Sequence, residues 1–193
     1  MAESDDKFEL DFTNYFDRKA VQAEKVPAAE RVAIDPEFRI GAAKLETEGY
    51  FVAMARRAAA PAAPPAEWKV MVVEDDPVTN AVLQKILAND GFKPFGAFDA
   101  AGLGKLLKEQ GVPQLILLDI ELPKVSGLQI LARIRKHPDM LAIPVLILTS
   151  RAGMADVARG MALGANGYLS KPATVENLRM VLRQLLGALP RGG

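Results

Sequence analysis

The sequence predicts an α/β protein: a doubly wound, five-stranded parallel sheet with helices on both faces, preceded by an N-terminal extension that is helical or partly disordered. Three observations predict it. From Trp68 onward, short apolar runs rich in Val, Ile and Leu alternate with longer stretches of helical spacing, the signature of repeated strand and helix units. Two of those runs are apolar throughout, as in strands covered on both faces. Five strands and five helices fit within the 127 residues from 67 onward, and parallel strands joined by right-handed crossovers form an open sheet.

In chain order, the strand candidates are residues 69–73, 92–98, 114–118, 143–148 and 167–170, the third and fourth being the fully buried pair. The first helix opens at Asp76-Pro77, a cap followed by proline at the first helical position; Val78, Val82 and Ile86 recur on one face, and Gly91 stops the run. Four more helices follow near residues 100–109, 127–135, 152–163 and 175–186. Sheets of this kind carry their site at the carboxyl ends of the strands. There, strand one runs into Glu74-Asp75-Asp76, strand three into Asp119, strand four into Thr149-Ser150 and strand five into Lys171-Pro172. Singly, each is ordinary turn or cap chemistry. Gathered at one edge, they read as a site.

Composition narrows the class. Twenty-four basic and twenty-four acidic side chains cancel, so the polycationic signature of non-specific nucleic-acid or anionic-membrane binding is missing. With no cysteine there is no disulfide, thiolate nucleophile or cysteine-ligated metal. The acidic start lacks an apolar signal region and no run approaches the roughly 20 apolar residues that cross a bilayer, so the expectation is a soluble, cytoplasmic protein without a membrane partner.

Residues 58–66 are only alanine and proline, a semi-rigid linker that would span roughly 28 Å in extended form. It divides the chain into an arm or tail (1–57), a linker (58–66), the α/β domain (67–189) and a short tail (190–193). The first 66 residues carry nine basic and twelve acidic groups, the rest fifteen and twelve. That first segment also holds seven of the twelve aromatics (Phe8, Phe12, Tyr15, Phe16, Phe38, Tyr50 and Phe51), unlike a fully solvated tail. Phe8, Leu10 and Phe12 alternate with acids as in a short strand or docking peptide. Asp35-Pro36 reads as a cap opening a helix to about Arg57, with Phe38, Ala42, Leu45, Gly49 and Val52 along one seam, although Gly41 and Gly49 weaken it. Two readings stand: a docking or dimerising arm on the face of helices four and five, or a partly ordered tail.

The segments VMVVEDDP, LILLDIELPKVSG, VLILTS and ANGYLSKPA resemble the receiver domain of two-component response regulators over about residues 68–187. The separations agree as well as the residue types: 44 positions from Asp75 to Asp119, 30 from Asp119 to Thr149 and 22 from Thr149 to Lys171. The resemblance implies a flavodoxin-like strand order 2-1-3-4-5. It implies that Asp119 accepts a phosphoryl group from a sensor histidine kinase or a histidine phosphotransfer protein. It places Mg²⁺ on Asp75, Asp119 and the backbone carbonyl of Glu121, with Glu74 acting through a water, and it assigns the compensating ammonium to Lys171. Physical chemistry agrees: neighbouring strands about 4.8 Å apart crowd these carboxylates, and an all-oxygen site suits a hard divalent cation. The resemblance further implies that Thr149 and Tyr168 move together as a switch, that Lys171-Pro172 is cis and that Gly127 forms the turn into helix three.

Two departures stand out. Gly164-Ala165-Asn166-Gly167 lacks the acids that pair across a dimer in the winged-helix transcription-factor branch, and Ala173 stands where many relatives have phenylalanine. A separate reading of the residues puts Glu121, two past Asp119, and Arg151, two past Thr149, at the mouth of the site, where a salt bridge would slow hydrolysis of the acyl phosphate. His137, in Lys136-His137-Pro138, reads as a surface residue. The function expected is a phosphorylation-switched signalling protein. The expectation is no enzyme activity beyond its own phosphorylation and slow dephosphorylation, and no DNA-binding output domain, with GALPRGG following Leu186. Its output is contact with a downstream protein, a homodimer included. The alternatives are a non-phosphorylated pseudo-receiver adaptor and an aspartyl-nucleophile phosphatase of the haloacid-dehalogenase type. The phosphatase family places Asp-x-Asp after its first strand, whereas Asp119-Ile120-Glu121 follows the third.

Overall fold

The computed structural model describes residues 45, 47–52, 67–151 and 153–186. Its strands are β1 (Tyr50–Val52), β2 (Lys69–Val73), β3 (Lys93–Ala97), β4 (Leu115–Asp119), β5 (Val145–Thr149) and β6 (Gly167–Ser170). Its helices are α1 (Pro77–Asn89), α2 (Ala100–Gln110), α3 (Gly127–Ile134), α4 (Met154–Ala162) and α5 (Val175–Leu186). They form one sheet of order β1-β6-β5-β4-β2-β3. Strands β2 to β6 are parallel throughout, in the predicted order 2-1-3-4-5 when counted from Lys69, and the predicted strands and helices match them to within one or two residues at the ends.

Period-two alternation sorts the strand side chains into two apolar layers. Val70 and Val72 face Leu83 and Leu87 of α1 and Leu178, Val181, Leu182 and Leu185 of α5. Met71 and Val73 face the other way, into a layer with Leu103 of α2, Ile130 and Leu131 of α3 and Val157 and Met161 of α4. Strands β4 and β5 are buried at every position, because both their faces are covered.

The buried side of α1 is not the stripe that the sequence suggested. Val78 and Val82 are 69% and 53% exposed, and the buried residues are Asn80, Leu83 and Leu87. The reason is polar. The Asn80 amide nitrogen donates to the carbonyls of Glu74 and Ala97, at 2.9 and 3.1 Å, satisfying the ends of two strands and fixing the rotation of the helix. Gly96 makes room for it, since a Cβ there would lie 2.1 Å from Asn80 Oδ1.

The helix predicted to run to about Arg57 also needs correction. Leu45, Thr47 and Glu48 are helical, but Gly49 adopts φ +78°, its amide closing back on the Leu45 carbonyl at 3.0 Å, and β1 follows, antiparallel to β6. Glycine enters the left-handed region at little cost and ends helices there, while the outer edge of β6 offers unpaired backbone groups to an extended segment. The Asp35-Pro36 cap, the alternating Phe8, Leu10 and Phe12 and the Ala/Pro linker lie outside the described residues.

Gly127 starts α3 against the end of β4: a Cβ at this position would lie 1.9 Å from the Asp119 carbonyl oxygen. Gly127→Ala is therefore expected to lower stability by about 1–3 kcal/mol, the usual cost of forcing atoms into packed space, read from the urea midpoint at unchanged slope.

Candidate functional site

The carboxyl ends of β2, β4, β5 and β6 converge, and with them the residues singled out in the sequence. Glu74 and Asp75 follow β2, Asp119 ends β4, Thr149 ends β5 and Lys171 follows β6. Carboxylate oxygens of Glu74, Asp75 and Asp119 all lie within 4.8 Å of one another. The Lys171 ammonium donates to Glu74 Oε2 and Asp119 Oδ2 at 2.6 Å each. Glu74 and Asp119 are 3% and 4% exposed, whereas Asp75 is exposed. The Lys171-Pro172 bond is cis.

Three carboxylates and one ammonium leave two negative charges crowded together. Burial raises the Glu74 pKa, an effect that the bond to Lys171 offsets only in part. Burial alone would lower the Lys171 pKa, but its bonds to Asp119 and Glu74 outweigh this and hold it above the ordinary lysine value. A crowded, all-oxygen donor set of this kind suits a hard divalent cation. Asp75 and Asp119 could hold it, and oxygen ligands favour Mg²⁺.

The mouth is an open cleft of about 580 Å³ lined by Asp75, Glu121, Pro123, Lys124, Ser126 and Arg151, among others. Arg151 Nε donates to Glu121 Oε1 at 3.2 Å, so the Glu121–Arg151 pair does form a bridge here. The Ser150 hydroxyl also donates to Glu121, a partner the sequence reading missed. These two bonds, Ser150 first, hold the Glu121 carboxyl below its ordinary range.

Thr149 is fully buried, and its Oγ1 accepts from the Arg151 amide at 3.0 Å. Tyr168 lies on the neighbouring strand, register-paired with Ile147, and the two residues share no hydrogen bond. The Tyr168 ring is fully buried, and its hydroxyl donates to the Asp156 carbonyl of α4 at 2.5 Å. Burial and the nearby Asp156 charge keep this phenol well above its ordinary pKa. Gly160 is the second residue the sequence reading missed: a Cβ there would lie 2.0 Å from the Tyr168 hydroxyl. The available signal was a glycine in the middle of a helix, where it is costly without a packing reason. His137 is half-buried at the far end of α3, and its Nδ1 accepts from the Asp139 amide at 3.3 Å.

The raised Lys171 pKa means that its stabilising contribution is complete below the ordinary lysine value and is lost as pH climbs through the folded one. Lys171→Ala is expected to cost about 3 kcal/mol near neutral pH, since it strands two buried carboxylates. The deficit should shrink as pH falls and Glu74, whose pKa burial already raises, takes up a proton, as urea titrations at several pH values would show.

The chain matches the family described as "Response regulator receiver domain" over residues 70–183. It is 36% identical over 118 residues to the transcriptional regulatory protein TctD of Salmonella typhimurium, covering 61% of this chain and 51% of the relative. It thus spans about half the length of that regulator. A probable chemotaxis protein CheY of Rhizobium etli is 30% identical over 121 residues, covering 63% of this chain and 94% of the relative. The crystal structure of Vibrio cholerae CheY4 superposes with a TM-score of 0.59 at 26% identity, over 63% of this chain and 100% of the other. With its sheet order, its gathered acids and lysine and this match over more than half its length, the chain belongs to the response regulator receiver domain family.

Proposed function

We propose that this chain is a phosphorylation-switched response regulator, with Asp119 the acceptor of a phosphoryl group from a histidine kinase or phosphotransfer protein. One observation carries the reading: the Asp119 carboxylate is buried, bonded at 2.6 Å to an ammonium and gathered with two further acids, one of which, Asp75, lines the open cleft beside it.

In the step proposed, a carboxylate oxygen of Asp119 attacks phosphorus; the P–O bond forms as the donor's P–N bond breaks, and the leaving imidazole takes up a proton. Lys171, already aligned, moves its hydrogen bonds from Asp119 toward a phosphoryl oxygen, so the rate comes from positioning and charge neutralisation. Asp75, Asp119 and the Glu121 backbone carbonyl would hold Mg²⁺, with Glu74 acting through a water, and the ion would neutralise the incoming phosphoryl charge. Thr149 then turns its hydroxyl to the new oxygens, and Tyr168 is the ring on the next strand that follows. Output is contact with another protein. The Glu121 carboxylate is engaged by Ser150 and Arg151, which speaks against its being the general acid of a phosphatase. The intact Asp, Thr and Lys set speaks against a pseudo-receiver.

Incubation with acetyl phosphate and Mg²⁺ is expected to add one phosphoryl group by intact-mass measurement, with none added in Asp119→Asn or without the metal. Phosphate turnover on many monoesters would favour the phosphatase instead. Replacing both Glu121 and Arg151 by alanine is expected to speed loss of the phosphoryl group about twofold to fivefold, the scale of an exposed bridge worth up to about 1 kcal/mol. An unchanged rate removes the bridge from the mechanism.

A further inference from the structure

The outer edge of β6 is held by the chain's own N-terminal residues on both sides of the sheet. Leu45, 2% exposed, enters the apolar layer that contains Tyr168, Val157 and Met161. Tyr50 packs against the opposite layer, with Leu169 and Leu178. Between them, the Gly49 carbonyl accepts from the Ser170 amide at 2.8 Å and from its hydroxyl at 3.0 Å, and Asn177 of α5 donates to the Glu48 carbonyl at 2.9 Å. Tyr50, Phe51 and Val52 then pair with Leu169, Tyr168 and Gly167.

The same short stretch of β6 serves the site. Ser170, which anchors the arm, is register-paired with Thr149. Lys171, the next residue, donates its amide to the Thr149 carbonyl at 2.9 Å and its ammonium to Glu74 and Asp119. Tyr168 pairs with Phe51 while its ring lies buried against α4. Any displacement of Thr149 or Lys171 is therefore felt at the arm within one or two residues.

Chain length favours an arm supplied in cis. Val52 stops opposite Gly167, at the end of the sheet where β2 begins, and three strands lie between β1 and β2. Four spacings of about 4.8 Å make roughly 19 Å, which the 16 residues between Val52 and Lys69 can span several times over. A strand of three residues is weak alone, but a tether that can span the distance makes its docking an intramolecular event.

We propose that Leu45 and residues 47–52 are a clasp on the β6 edge whose docking is coupled to occupancy of Asp119, each favouring the other. The proposal rests on the phosphoacceptor reading above. A phosphoryl group that attracts the Thr149 hydroxyl and the Lys171 ammonium draws the end of β6 onto β5, firming the platform of Ser170 and Leu169 on which the clasp sits. The docked clasp in turn covers the layer that holds Tyr168 inward. Coupling is reciprocal, so a loosened clasp must weaken the loaded site by the same factor.

The test is amide hydrogen exchange on the full chain, with and without Mg²⁺ and beryllofluoride, loading being followed independently by fluorine NMR. Exchange of the Phe51 amide, which strand alternation points at Tyr168 of β6, is expected to slow at least about fivefold on loading, the lower end of typical coupling. Gly49→Val, which cannot adopt φ +78° without strain, and the milder Asn177→Ala should speed that exchange and weaken beryllofluoride binding together. Bound beryllofluoride with unchanged or faster arm exchange overturns the coupling and leaves the receiver reading intact. No bound beryllofluoride overturns that reading, and the coupling falls with it.

Discussion

Lys171 reaches from the end of β6 across the sheet to Glu74 and Asp119, 2.6 Å from each, and the arrangement of the whole edge depends on that reach. Two buried carboxylates side by side repel, and without a cation between them one would protonate or turn away. The ammonium holds both in place and aligned. It can do so because β2, β4, β5 and β6 end at one level. The apolar core matters to function chiefly by setting that level: four all-buried or nearly all-buried strands, packed on both faces, leave little freedom for their ends to drift.

Around this centre the polar groups of the edge divide into two kinds. Asn80 and Gly127 are structural: one satisfies the carbonyls of Glu74 and Ala97, the other lets α3 start against the Asp119 carbonyl. Thr149, Tyr168, Glu121, Ser150 and Arg151 are bonded to groups they can exchange for others, a backbone amide, a backbone carbonyl or one another. The first kind makes the edge rigid. The second gives it bonds that can rearrange, and β6 lies between the site on one side and residues 50–52 on the other.

Much of this was legible in the chain. Unbroken Val, Ile and Leu runs gave away β4 and β5, because strands buried on both faces have no reason to alternate, and Asp76-Pro77 marked the start of α1 by ordinary capping chemistry. The acids and the lysine were visible as polar residues just past strands. Less visible was the orientation of α1. Val78 and Val82 look like core residues until Asn80 is seen to fill the strand-end carbonyls, a long-range polar contact that hydrophobic spacing does not encode. Gly160 likewise acquires its meaning only beside the Tyr168 hydroxyl.

The sequence by itself determined the strand and helix order, the residues at the strand ends and, by resemblance, the family, since periodicity, capping and motif spacing are properties of neighbouring residues. Tertiary structure alone decided the conformation of residues 50–52. The N-terminal seam of apolar residues suits a helix as well as a tail, and the choice between helix and strand at residues 50–52 was made by an unpaired sheet edge more than a hundred residues away. Local propensity is weak over three residues, so hydrogen bonds to β6 and burial of Leu45 and Tyr50 on opposite faces of the sheet outweigh it.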